Sequence, residues 1–194
     1  MRFFSFLASI LMVLGFSTTS QSADGPLISF EGSGSTVVLT ADDLSSGKDA
    51  SLEAAMPDPV LFVLRRDSPS GISLAAVYGD SGENLLATVP PDMQGFDENG
   101  ELEEDFSIQL GVSDLNADGV PEVLVATGDG VAILSVAIFV YNPQGEERFR
   151  CTGVVDGQIS VRVEADGTIV APFGSQGLFT AYTVAADGSV AEKE

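Results

Sequence analysis

One short stretch carries the residue types and spacing that bind a hard cation. Residues 114–122 read Asp-Leu-Asn-Ala-Asp-Gly-Val-Pro-Glu. Asp114, Asn116 and Asp118 place side-chain oxygens at alternate positions, Gly119 follows, and Glu122 adds a fourth side-chain donor. A turn of this length brings its first, third and fifth positions to one point. The backbone carbonyl of Val120 reaches the same point, and Glu122 closes the cage. Gly119 lets the chain reverse where a side chain would clash. Calcium takes six to eight oxygens at about 2.3–2.6 Å and fills vacancies with water, so this spacing predicts one calcium ion. Extracellular modules bind it at about 10⁻⁴–10⁻³ M, and such an ion stiffens the segments on either side of the loop.

The elements that must position this loop are strands. Residues 106–113 alternate toward it, and residues 122–127 leave it as a valine-rich run. An EF-hand places helices on both sides and a glutamate at loop position 12, which is Val125 here. The loop is therefore the shorter, nine-position kind set between strands. Residues 106–140, with Asp114-Leu-Asn-Ala-Asp-Gly-Val-Pro-Glu122 at their centre and Val123-Leu-Val-Ala-Thr-Gly128 after it, resemble the FG-GAP/VCBS repeat of integrin alpha-chain propellers and many exported bacterial proteins. The resemblance implies calcium contacts from Asp114, Asn116, Asp118, Val120 (by its carbonyl) and Glu122. It covers one clear copy, and the Phe-Gly and Gly-Ala-Pro landmarks of the repeat are missing.

Beyond the loop, Asp-Gly and related turn pairs recur about every 20 residues between runs rich in valine, isoleucine and phenylalanine. Residues 161–170 and 182–191 are near copies, each turning at Ala-Asp-Gly. This cadence predicts an all-β fold of antiparallel, propeller-blade-like hairpins: a partial or small propeller, with a β-sandwich as the alternative. Strands are expected at 59–65, 72–78, 84–89, 106–113, 122–127, 131–141, 148–153, 158–163, 168–172, 178–184 and 189–191. Residues 131–141 form the longest apolar run after the leader and predict a strand buried on both faces. The β-domain is expected over 59–194. Residues 23–58, with Gly-Ser-Gly-Ser at 32–35, are expected as an irregular N-terminal lead-in or an edge hairpin. Thr40-Ala-Asp-Asp43 fits a capping box for one short helical turn. The acidic cluster at 97–105 lacks ligand spacing and predicts a solvated hairpin.

Residues 1–22 carry Arg2, an apolar run over 3–16 and a small-x-small Ser20-Gln21-Ser22, the pattern of a secretory signal peptide. The mature protein is expected to be periplasmic or extracellular, with no membrane span after signal removal. Losing Arg2 leaves 7 basic residues against 29 acidic, a balance of −22. That charge disfavours nucleic acid and anionic membranes and favours cations and basic partners. Cys151 is the sole cysteine and, alternating with Phe149, is expected to be a buried thiol. With no histidine, the chain has no Ser-His-Asp or Cys-His catalysis and no histidine zinc site. The leading expectation is a non-catalytic calcium-binding module with a protein, a glycan or another copy of itself as partner. An acidic inhibitor of a cationic secreted enzyme such as lysozyme is the alternative, and a carboxylate-dependent hydrolase the third.

Overall fold

The structure, a computed structural model, describes residues 25–54, 59–67, 71–78, 82–90, 92–141 and 149–193. The expected signal peptide, 1–22, lies outside the described residues. The elements run β1 (Ile28–Phe30), β2 (Ser35–Thr40), α1 (Ala41–Ser45), β3 (Ala50–Ala54), β4 (Val60–Arg66), β5 (Ile72–Tyr78), β6 (Glu83–Val89), β7 (Ser107–Ser113), β8 (Glu122–Gly128), β9 (Leu134–Tyr141), β10 (Phe149–Gly157), β11 (Val161–Val163), β12 (Ile169–Phe173), β13 (Leu178–Val184) and β14 (Val190–Glu192). Among the described residues no helix is long and apolar enough to cross a membrane.

The fold is all-β, built from three sheets: β3-β4-β5-β6, β2-β7-β8-β9-β10 and β1-β11-β12-β13-β14. Within each sheet the chain meanders through antiparallel hairpins, as the turn cadence predicts; among the described residues only β1 and β11 pair in parallel. The sheets do not close into a barrel or a propeller, and of the two expected architectures the sandwich-like one fits.

Two hydrophobic cores explain the layering. One joins the first sheet to the middle sheet through Phe62, Leu64 and Leu74 against Ile108, Val125 and Phe139. Phe62 meets Phe149 edge-on there, with ring centroids 5.0 Å apart. The other core joins the opposite face of the middle sheet to the third, through Leu124, Val136 and Ile138 against Ile28, Val161 and Ile169. Odd and even positions of one strand thus serve different cores, which is why β8 is buried along its whole length. The same holds for β9 as far as Val140, as its apolar run predicts, while Val131 lies in the preceding turn and is exposed.

The N-terminal stretch departs from expectation. Instead of an irregular lead-in over 23–58, it supplies β1, β2, α1 and β3, and each of these strands is an outer strand of a different sheet. The capping box is present: Asp43 N–H donates to Thr40 Oγ1 and Thr40 N–H to Asp43 Oδ2, both at 3.1 Å.

Cys151 also departs: it is exposed. Phe149 enters the first core and Cys151 shares its face in regular register, but β10 is an outer strand and its burial falls away directly after Phe149. The sulfur is still crowded enough that desolvation pushes the thiol pKa up. The two near-copy turns fold alike, with Gly167 N–H donating to Glu164 and Gly188 N–H to Ala185 at 2.9 and 2.8 Å. Residues 97–101 form a solvated turn, in which Asp97 Oδ1 accepts from Asn99 and Glu101 N–H at 2.8 Å.

Candidate metal centre

The acidic loop is the connection between β7 and β8, two neighbours of the middle sheet, and it opens at the paired residues Ser113 and Glu122. The backbone turns with Ala117 at φ 57° and Gly119 at φ 86°. Inside the turn, side-chain oxygens gather backbone donors. Asp114 Oδ1 accepts from Asp118 N–H at 3.2 Å and its Oδ2 from Gly119 N–H at 3.0 Å. Asn116 Oδ1 accepts from Asp118 N–H at 3.0 Å, and Asp118 Oδ1 from Val120 N–H at 2.8 Å.

Glu122 differs from the other three. It is 1% exposed. Its Oε2 accepts from Leu115 N–H at 2.7 Å and its Oε1 from Asn116 Nδ2 at 3.2 Å. Desolvation, with the charges of Asp118 and Asp114 adding to it, pushes its pKa up to about 7 against the pull of the Leu115 donor. No ion pair among the described residues engages Asp114, Asp118 or Glu122.

The loop is fastened from the third sheet. Leu115 is buried in the second core, between two exposed stretches of the turn. The β11–β12 turn lies directly on it: a Cβ placed on Gly167 would stand 1.8 Å from the Leu115 carbonyl oxygen. Gly167 itself has φ +81°. A hollow lined by Ser33, Asp114, Glu164 and Gly167 runs along this seam.

No protein-family model, curated protein or solved structure matches the chain.

The structure brings Asp114, Asn116, Asp118 and Glu122 into one hydrogen-bonded turn, with Val120 in the same turn. As the side chains stand, no three His, Cys, Asp or Glu groups among the described residues converge at metal-holding distance. The oxygens are turned onto the loop's own N–H groups. The donor set nevertheless suits a hard cation: all donors are oxygens, and Glu122 is a carboxylate withdrawn from water beside two others with no basic residue to neutralise it. Leu115 and Gly167 were not legible as parts of the site. Their only sequence signals were an apolar residue inside an acidic loop and one more Asp-Gly turn.

Proposed function

We propose that the chain is an exported β-domain of FG-GAP/VCBS type, held by one calcium ion at Asp114, Asn116, Asp118, the Val120 carbonyl and Glu122, and that it works as a binding or structural module rather than as a catalyst. The observation that supports this most is Glu122. A carboxylate with 1% exposure closes a loop of calcium spacing between adjacent strands, and nothing cationic in the described chain answers it. A bound divalent ion would reverse the desolvation and repulsion that hold Glu122 near neutrality. The secretory pattern of residues 1–22 and the strongly acidic composition accord with an exported protein in a calcium-bearing medium.

Thermal unfolding with calcium and with chelator tests the reading. At 10 mM calcium a site of about 10⁻⁴–10⁻³ M affinity adds about 1–3 kcal/mol and raises Tm by about 3–10 °C. Asp118→Ala abolishes that rise. Superimposable melts of the unaltered protein across millimolar calcium overturn the assignment.

A further inference from the structure

At the end of the middle sheet remote from the acidic loop, large apolar side chains stand in solvent. That end is closed by the pair Gly128 and Leu134, whereas the acidic loop sits at the other end of β8. The β12–β13 hairpin finishes there: Phe173 and Leu178 pair on the face that carries Ile169 and Ala171, and Pro172 and Phe179 pair on the opposite face. Phe173, Leu178 and Phe179 are 44%, 51% and 61% exposed. Gln158 N–H donates to the Pro172 carbonyl at 2.9 Å, which brings Ile159, also exposed, beside the hairpin. Ile159 and Gly130 line one hollow, and exposed Val131 follows Gly130. A cluster of this kind marks an interaction surface more often than scattered single residues do.

Two observations say what would cover it. The first is strain. Ile159 has φ 63°, a left-handed conformation that disfavours a β-branched residue by about 1–3 kcal/mol. Glycine or asparagine would fit there without that cost, yet the chain presents a large apolar side chain to solvent. The second is charge. The neighbouring hollow, which shares Gly25 and Gly130 with the first, is lined by Glu104, Asp105 and Asp129 and by no basic residue. Burial opposes ionisation of Asp129, but N–H donors from Ile133, Ala132 and Val131 outweigh it and hold the pKa below the ordinary carboxylate value. Lys48, Arg65, Arg66, Arg162 and Lys193 are each already engaged by an acid.

We propose that this pole docks a cationic polypeptide that presents apolar side chains. Its apolar groups cover Ile159, Phe173 and Leu178, and its lysines or arginines meet Asp129, Glu104 and Asp105. Charge complementarity selects this occupant over a second copy or an anionic membrane, because either would bring negative charge against negative charge. The overall charge of −21 also speeds the encounter with a basic partner at low salt.

The test uses the exported full chain and a fluorescent amphipathic peptide of lysine and leucine, followed by anisotropy at low salt. Polylysine and a glutamate–leucine peptide of the same pattern serve as controls. The lysine–leucine peptide is expected to bind more tightly than either. Combining Phe173→Ser with Leu178→Ser weakens it by about tenfold or more, with polylysine binding unchanged. Ile159→Gly weakens peptide binding while raising Tm, which separates a docking role from a folding role. Asp118→Ala leaves peptide binding as it was, so loss of the calcium site and loss of this surface are read separately. The proposal is overturned if the double variant binds the peptide as well as the unaltered chain, or if the glutamate–leucine peptide binds equally. It is also overturned if light scattering shows a dimer that the double variant splits, since a second copy is then the occupant.

Discussion

Gln109 and Ile28 are joined by two buried hydrogen bonds of 3.0 Å, one in each direction: Ile28 N–H donates to Gln109 Oε1, and Gln109 Nε2 donates to the Ile28 carbonyl. Strand β1 bonds its sheet neighbour through Leu27 and Glu31, as the bonds from Val161 N–H to Leu27 and from Glu31 N–H to Val163 show. The backbone groups of Ile28 point the other way, to the free edge of the third sheet. Gln109 reaches them from the middle sheet and acts as a one-residue substitute for a missing strand.

Gln109→Leu keeps the volume and leaves two buried backbone groups unpaired. At about 1–3 kcal/mol per group, the loss of stability is about 2–5 kcal/mol. Urea unfolding measures it. A loss below about 1 kcal/mol would mean that water replaces the glutamine.

Glu122, with no cation beside it, makes stability sensitive to pH. Its folded pKa of about 7 lies above the ordinary glutamate value of 4.5. The folded state therefore holds this proton more tightly than the unfolded state does. The contribution is fully present below about pH 4.5 and is lost as pH rises through about 7, by up to about 3 kcal/mol. In chelator, Glu122→Gln should remove that slope and stabilise the protein at pH 8 relative to the unaltered chain. A slope that persists in the variant would place its origin in another group.

Gly167→Ala tests the fastening of the acidic loop. Alanine must adopt φ +81° and also displace the Leu115 carbonyl, a combined loss of about 2–4 kcal/mol. The calcium-dependent rise in Tm should shrink with it. Gly174→Ala is the control: φ is +67° with nothing within 4 Å of the added carbon, so about 1 kcal/mol is lost and the calcium response stays.

Cys151 is expected to react with a maleimide in the folded protein, because it is exposed. Its raised thiol pKa makes the reaction at pH 7 slower than that of a free cysteine, and the rate goes on rising to higher pH before it levels. Protection until denaturant is added would show that the thiol is covered in solution.

Most strands were legible because a period of two and Asp-Gly turns are local properties. The near copies at 161–170 and 182–191 fold with matching turn bonds. The run at 131–141 gave β9 because burial on both faces leaves no polar position to disturb it. Cys151 misled because alternation gives the face of a strand but not its cover: Cys151 shares the face of Phe149, on an outer strand whose burial falls away after Phe149. The N-terminal strands were hidden because they are short and their partners lie far off in sequence. Ile28 pairs with Val161, and Ser35 with Val112. The acidic loop was legible as a turn between two strands, but its support by Leu115 and Gly167 depends on a contact between sheets that no local pattern encodes.

Placing the N-terminal strands at three separate sheet edges sets a schedule for the chain. β3 meets its partner at once, since Ala54 pairs with Val60. β2 must wait for β7, and β1 for β11, late in the chain. A polypeptide emerging N-terminus first therefore carries two strands that have nothing to pair with until most of it has appeared. Closure of these long loops comes late and slows folding. That delay completes the outer layer only once nearly all of the chain has emerged.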